Sequence, residues 1–547
     1  MDFQGAIGTV QLTKQDEIHR LRRKNKILMQ EIFERIPGVR SVDELPEAET
    51  SWFGVPIICD SADTKVRLTK HLEDNKVQTR NYFAGNILMH PGYRHLDYYR
   101  NYPNACKVLD LVFFVGCSPT ITEEMIDEVM KDAIRIATHG RPGPVWIDIP
   151  MDVQGVECFS IEDAVKRAKR PLILAGNGIN CAQAREEFKF FVDQTNIPVV
   201  TSYNGVDLIS SDDRNYVGRV GVKGTRSGNF AMQNCDLLLV IGCRLPVPVT
   251  GYNYKTFARE AEVIVVDIDK DEHSKDTVKI DRFINRDAKN FLDLYWFDRS
   301  KSDWNYLCEE WKEKWPVCPT ENSSEKVDLY YFMQCLNTLK RDDDVLISDA
   351  GSAFYVCSQA TTIKNQQRYI TSSSQAEMGF TIPACIGAAF AKDGDVIGVT
   401  GDGSFMMNLQ ELQTIKHYNL PIKLFVWNND GYLSIRTTQK KFFEGREIGT
   451  DAESGVSIPS IRDVVKSFGI EHIYADAKGL EHAVQTTLDC SGPIVCEVLC
   501  EKWQEVVPTM QGRKNADGTI SAPPLEDMYP FLSRKEFYDN MIIKPLD

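Results

Sequence analysis

The stretch DVIGVTGDGSFMMNLQELQTIKHYNLPIKLFVWNNDGY, Asp395 to Tyr432, decides how the region around it folds. One apolar run ends in Gly401-Asp402-Gly403 and a second, IKLFVWN, ends in Asn428-Asn429; between them Leu409, Leu412 and Ile415 fall at helical spacing. Continuous apolar runs joined through a helical segment describe a parallel strand–helix–strand unit buried on both faces. Open sheets of this kind bind ligands beyond the carboxyl ends of their strands, where Asp402 and Asn429 would meet. A carboxylate and an amide oxygen are hard ligands suited to Mg²⁺, which takes few protein ligands and fills its octahedron with phosphate oxygens. The Gly431 carbonyl offers a third ligand. Gly403 lets backbone approach a phosphate, and Ser404 adds a hydroxyl near the first amides of a helix. Taken singly, GDG is an ordinary tight turn and NN a loop end. Their spacing across one such unit points to a metal-anchored phosphate group.

Outward from this stretch the alternation continues. DVLISD (Asp344–Asp349) reads as another strand of the same domain. Upstream, PLILAGNGI (Pro171–Ile179), IPVVTS (Ile197–Ser202), DLLLVIG (Asp236–Gly242) and EVIVVDID (Glu262–Asp269) read as parallel strands of a second α/β domain. The Trp-bearing stretch from Phe297 to Asp328 reads as a linker with some helix, and the proline-bearing tail as a surface wrap. Near the start, helix is expected from Leu12 to Ile36, with short strands around Ser51–Cys59 and Val108–Val115. The run Val145–Ile149, bounded by prolines, reads as a buried strand.

The 547 residues suit three or four domains at roughly 150 each. A formal charge of −15 argues against a general nucleic-acid binder. Fifteen cysteines without a CxxC pair indicate neither a zinc site nor a disulfide framework. No apolar run approaches the roughly 20 residues needed to cross a membrane, and the opening residues do not read as a secretory signal. A cytoplasmic protein is expected.

The Asp395–Tyr432 pattern resembles the thiamine-diphosphate motif, and its surroundings are similar to acetolactate synthases over about residues 130 to 547. TSSSQAEMGFTIPACIGAAFA (Thr371–Ala391) looks like the segment preceding that motif in the family, and GVKGTRSGNFAMQNCDLLLVIGCRL (Gly221–Leu245) like its central domain. The tail PPLEDMYPFL (Pro523–Leu532) is similar to acetolactate-synthase-like proteins of sugar-biosynthesis clusters. The resemblance implies thiamine diphosphate and Mg²⁺, with Asp402, Asn429 and Gly431 on the metal. Gly351, Ser352, Ala353, Gly403, Ser404, Asn429, Tyr432 and Leu433 would hold the cofactor. Met378 matches the residue that bends it, or is core filler. Gly379, Ala384, Gly387 and Ala388 would let their helix pack closely. Implied too are decarboxylation of a 2-keto acid such as pyruvate, transfer to a carbonyl acceptor, and a homodimer or homotetramer.

The family's glutamate, which contacts the aminopyrimidine from an N-terminal domain, has no counterpart that we find, so no catalytic residue is assigned. Only DAIRIATHGRPGPVWIDIPMDVQG (Asp132–Gly155) resembles that domain's end. Before it, GAIGTVQLTKQDEIHRLRRKN (Gly5–Asn25), SWFGVPI (Ser51–Ile57), QTRNYFAGNILMHPGY (Gln78–Tyr93) and LDLVFFVGCSPTITEEMIDEVM (Leu109–Met130) resemble the carboxyl-terminal small domain of PLP-dependent sugar aminotransferases and 3-dehydrases. Arg80 and His90 would be remnants of a sugar pocket, or surface groups, and no pyridoxal lysine can be placed. The expected order is an aminotransferase-like domain at 1–130, a remnant of the pyrimidine domain at 131–160, a central domain at 165–295, a cofactor-binding domain at 326–500 and a tail at 501–547. The fold class is α/β, with two doubly wound parallel sheets behind a small α+β domain. Such a chain is either an acetolactate-synthase-like enzyme, or a fusion that binds the cofactor without turnover or needs a partner chain.

Three weaker readings complete the set. Asp267 and Asp269 stand where a dinucleotide ribose would bind, and related central domains sometimes hold FAD, but no phosphate fingerprint here demands it. His417 reads as structural rather than catalytic. Arg436, Lys440 and Lys441 would attract an anionic substrate, or form a solvated basic loop.

Overall fold

The computed structural model describes residues 15–34, 38–74, 79–83, 85–116, 161–294, 299–322, 324–364, 366–392, 394–514 and 520–546. The expected strand at Val145–Ile149 and the pyrimidine-domain remnant lie outside the described residues. The chain divides into two compact units, Met1–Ser160 and Ile161–Asp547.

In the first unit a helix over Gln15–Phe33 precedes an antiparallel sheet of β1 (Val39–Ser41), β2 (Gly54–Cys59), β3 (Thr79–Asn81) and β4 (Val112–Gly116), ordered β1-β2-β4-β3. Val55, Ile57, Phe113 and Val115 form its core with Phe33 and Leu72. The strand expected from Val108 begins only at Val112. Pro103 opens a helix that runs to Leu111, because proline at the first helical position sacrifices no hydrogen bond there. Arg80 and His90 are both exposed.

The second unit contains two six-stranded parallel sheets with helices on their faces. The first comprises β5 (Pro171–Ala175), β6 (Val199–Thr201), β7 (Tyr216–Arg219), β8 (Leu237–Ile241), β9 (Glu262–Asp267) and β10 (Arg282–Asn285), in the order β10-β9-β8-β5-β6-β7. β5 stops earlier than its apolar run suggests. Gly176 lies so close to the end of the neighbouring strand β8 that a Cβ there would meet the Gly242 carbonyl at 2.1 Å.

Two expectations are corrected here. The stretch read as a linker with some helix does carry a helix, Asp303–Lys314, but it is not a linker: its Trp304 and Trp311 are buried in the core of this sheet. Their indole N–H groups donate to the Pro171 carbonyl and to Asn540 Oδ1. The tail does not wrap the surface. Leu525, Met528 and Phe537 are buried, and fully buried Glu526 accepts from Gln233 and pairs with Arg259 at 2.8 Å. Proline and charge suggested exposure, but the charges are paired and the apolar residues between them fill the core.

The second sheet comprises β11 (Val345–Ser348), β12 (Arg368–Thr371), β13 (Val396–Gly401), β14 (Ile422–Asn428), β15 (Glu471–Ala475) and β16 (Ile494–Leu499), in the order β12-β11-β13-β14-β16-β15. β13 pairs in parallel with β14, so Gly401 lies opposite Trp427 and the two chain ends emerge side by side. The crossover is not one helix: a turn of helix over Asp402–Phe405 and a 3-10 turn over Leu409–Glu411 precede the helix Leu412–Tyr418, whose Leu412 and Ile415 are buried. His417 is exposed on that helix, its ring against Tyr418. Helix Thr381–Ala391 packs closely on β13, but the glycine responsible is on the strand: a Cβ on Gly398 would meet Cys385 Sγ at 2.8 Å, whereas one on Gly387 would meet nothing.

Candidate functional site

Three strand ends build the site. β13 delivers Asp402, which is buried at 1% exposure. Its Oδ1 accepts from the Gly403 amide at 2.7 Å and its Oδ2 from the Gly431 amide at 2.9 Å. Burial pushes the carboxyl up to about 6 against the pull of these amides and of Arg436. β14 delivers Asn429, also buried, whose side-chain oxygen has no hydrogen-bond partner. A buried amide oxygen without a donor costs about 1–3 kcal/mol. One placed beside a buried carboxylate is the donor set a hard cation satisfies. The residues present therefore fit Mg²⁺.

The loop after β14 is fixed by backbone constraints. Gly431 has φ +115, and a Cβ on it would lie 2.1 Å from the Thr450 carbonyl. The next amide, Tyr432 N–H, donates to that same carbonyl at 2.8 Å. Tyr432 turns its ring onto Gly403, where a Cβ would meet the ring at 2.2 Å. Glycine at both positions is thus dictated by close approach.

β11 delivers the third end. Gly351 opens the helix Gly351–Ala360 at φ +57 and faces Ser434 Oγ, with Ser352 and Ala353 buried in the first turn. Leu433, also buried, opens the neighbouring helix Leu433–Phe442. The expected cofactor and metal residues of the three loops are therefore brought together. Met378 is not part of this hydrogen-bonded cluster. It is 37% exposed, and its segment is held nearby by Asn408, which donates to the Gly379 carbonyl at 2.9 Å.

One group in the site escaped the sequence reading. Asp349, fully buried at the end of β11, accepts from the Ala350 amide and from Thr400 Oγ1 at 2.8 Å, so it ties the 350–353 loop to the strand end that carries Asp402. Burial pushes its carboxyl up to about 6. A second acidic strand end beside GDG was its only signal.

The other candidates divide. Arg436 is fully buried and donates to the carbonyls of Asn429, Asp430 and Lys502, which corrects its assignment to a solvated loop. Lys440 lies over the Trp503 ring, and Lys441 lines a cavity between the helices and the tail. Asp267 and Asp269 cap their own turn, accepting from the amides of Asp269 and Glu272, and His273 Nε2 lies 3.4 Å from Asp267.

Comparison with known families agrees with this architecture. Residues 160–294 match the thiamine pyrophosphate enzyme central domain, and residues 349–498 match the C-terminal TPP binding domain. The chain is thus built on the central and cofactor-binding domains of the thiamine pyrophosphate enzyme family. Relatives within that family include acetolactate synthases. It is 29% identical over 419 residues to acetolactate synthase isozyme 2 large subunit of Escherichia coli, covering 72% of this chain and 75% of that one. It is 29% identical over 423 residues to chloroplastic acetolactate synthase 1 of Zea mays, covering 70% and 66%. The chain spans about two thirds to three quarters of the length of these relatives. Residues 1–134 match instead the DegT/DnrJ/EryC1/StrS aminotransferase family. Among the described residues no helix is long and apolar enough to cross a membrane.

Proposed function

We propose that the chain is a thiamine-diphosphate- and Mg²⁺-dependent carboligase or decarboxylase of acetolactate-synthase type, acting on a 2-keto acid such as pyruvate. The observation that carries this reading is the partnerless Asn429 oxygen buried at the strand end beside Asp402. Asp402, Asn429 and the Gly431 carbonyl hold the metal. The loops at Gly351–Ala353, Gly403–Ser404 and Tyr432–Leu433 hold the diphosphate, and Met378 supports the ring portion. When bound, the cofactor supplies a nucleophilic carbon and a sink for the electrons released on decarboxylation. The protein's share is to neutralise the diphosphate and fix its position against the three strand ends. The site is completed in a homodimer or homotetramer, and the aminotransferase-family segment supports a role in building an unusual sugar.

Calorimetry of thiamine diphosphate with Mg²⁺, on wild type and Asp402→Ala, with CO₂ release from pyruvate measured on the same sample, tests this. Metal-dependent binding lost in the variant, together with CO₂ release, is the expected result. Absence of binding in the wild type overturns it. A second reading is favoured by the match of residues 1–134 to an aminotransferase family. On that reading the chain binds the cofactor but needs a pyrimidine domain from another chain, and binding occurs without CO₂ release.

A further inference from the structure

Adjoining the diphosphate loops, and lined in part by Ser352 and Leu433 of those loops, lies a cavity of about 610 Å³, within the range of small-molecule sites. It joins three parts of the second unit: Ser352 and Tyr355 on one cofactor-site helix, Thr437 and Lys441 on the other, and Lys223 on the loop after β7, with the tail from Gln504 closing it. Lys223 is the unusual member. Its ammonium lies 3.6 Å from the centre of the Tyr355 ring, and no carboxylate pairs with it among the described residues. An unpaired, desolvated cation is costly, and a cation–π contact of about 2 kcal/mol offsets only part of that cost. Desolvation lowers its pKa to about 8 and also lowers that of Lys441. Two lysines thus face a lining whose one acid, Glu505, is exposed and engaged by the Tyr529 hydroxyl. This happens in a chain with net charge −15. The rest of the wall mixes hydroxyls and amides with apolar side chains such as Leu433, Phe442 and Met510.

We propose that this cavity takes the acceptor substrate, a hydroxylated aldehyde or ketone that also carries an acid group, such as a sugar phosphate or a keto sugar acid, with the acid group on the Lys223 ammonium. The acceptor role rests on the reading given under Proposed function, but anion binding itself requires no thiamine diphosphate. Anion binding supplies the missing counter-charge, draws Lys223 fully into its protonated form, and leaves the hydroxyls of the ligand to wall residues such as Thr437, Gln504 and Thr509.

The test is calorimetry of the full chain at pH 8 with gluconate, glucose 6-phosphate and, as a neutral control, sorbitol. Gluconate or glucose 6-phosphate is expected to bind, the stronger of the two revealing whether a carboxylate or a phosphate is preferred, and sorbitol is not. Lys223→Met should weaken binding about tenfold or more, and Lys223→Arg should retain most of it. Repeating the wild-type titration in buffers of different ionisation enthalpy should show proton uptake, a signature that misfolding of a variant cannot mimic. Equal binding by sorbitol, unchanged affinity in Lys223→Met, or binding without proton uptake overturns the inference. If Lys223→Met fails to fold, wild-type proton uptake and weakening in Lys441→Gln decide the matter. Anion binding by a chain that does not bind thiamine diphosphate would remove the acceptor role and the proposed function while keeping the site. Cofactor binding without anion binding would remove this inference alone.

Discussion

The Asp402 carboxylate reaches from the end of β13 to the Gly431 amide beyond the end of β14, 2.9 Å away, so the two loops of the site are latched to each other before any ligand enters. The latch uses one lone pair of Oδ2 and leaves others for a cation. Asp402→Ala therefore removes both a metal ligand and the latch. Losing a charged ligand costs about 3 kcal/mol or more, so Mg²⁺-dependent affinity for thiamine diphosphate should fall at least about 100-fold by calorimetry. An unchanged dissociation constant would exclude Asp402 from the metal site.

Asn429 makes an opposite demand on stability and function. Its buried oxygen lacks a partner, so Asn429→Leu, close in volume, should stabilise the ligand-free protein by about 1 kcal/mol while removing cofactor binding. Denaturant midpoints with and without thiamine diphosphate and Mg²⁺ read both effects. A variant that is less stable without ligand would mean that the oxygen is satisfied in solution, and the argument from its burial would fail.

Gly431→Ala tests the backbone. A methyl at that position points into the Thr450 carbonyl, and φ +115 is a region that alanine avoids. The loop must shift, breaking the Tyr432-to-Thr450 hydrogen bond. A loss of about 2 kcal/mol or more in urea unfolding is expected, with weaker cofactor binding, because the Gly431 carbonyl moves with the loop. Gly445→Ala, also at positive φ but in open space, should cost less.

The site was legible where chemistry and chain order coincide. Asp402, Asn429 and the intervening apolar residues sit in one crossover, so spacing along the chain translates directly into spacing across the sheet. Lys223 and Tyr355 could not be found that way, since they meet only when the loop after β7 packs on a helix 130 residues further along. The central strands β8, β13 and β14 are buried, apart from the half-buried last residues of β13 and β14, and read as apolar runs. The edge strands β10 and β15 carry polar, half-exposed residues and do not. β7 is buried yet polar: its Arg219 donates to the carbonyls of Gln359 and Thr361, which ties the first sheet to the cofactor-site helix. The tail misled for a related reason, because a charge such as Glu526 reads as exposed unless its partner Arg259 is known.

Glu497 on β16 supports the metal loop from behind. It accepts from His472 at 3.1 Å and from Asn428 Nδ2 at 2.7 Å, and the His472 bond, then that of Asn428, holds its carboxyl below the ordinary range despite burial. A carboxyl depressed in the folded state stabilises above its unfolded pKa of about 4.3, and that contribution is lost as pH falls through the folded value. Glu497→Gln should therefore be less stable than wild type by about 1–2 kcal/mol at pH 6. The difference should shrink as pH falls below about 4. A gap that widens on acidification would show that the charged form is not the stabilising one.

Arg436 and Lys440 lie four residues apart on one helix yet should behave differently. The Arg436 guanidinium is fully buried, donates to the carbonyls of Asn429, Asp430 and Lys502, and stands 3.6 Å from Asp451. Asp451 is held well below the usual carboxylate range, chiefly by Lys502 and Ser454. Arg436→Met strips three carbonyls of their donors in the backbone that presents Asn429, so a loss of roughly 3–5 kcal/mol is expected. At temperatures where the variant remains folded, cofactor affinity should fall as well. Lys440 stacks on the partly exposed Trp503 ring at 4.5 Å, so Lys440→Met should cost under about 1 kcal/mol and leave cofactor affinity unchanged. Parallel urea curves and calorimetry on the two variants separate an anchor for the metal loop from a surface cation, and equal effects would remove Arg436 from that role.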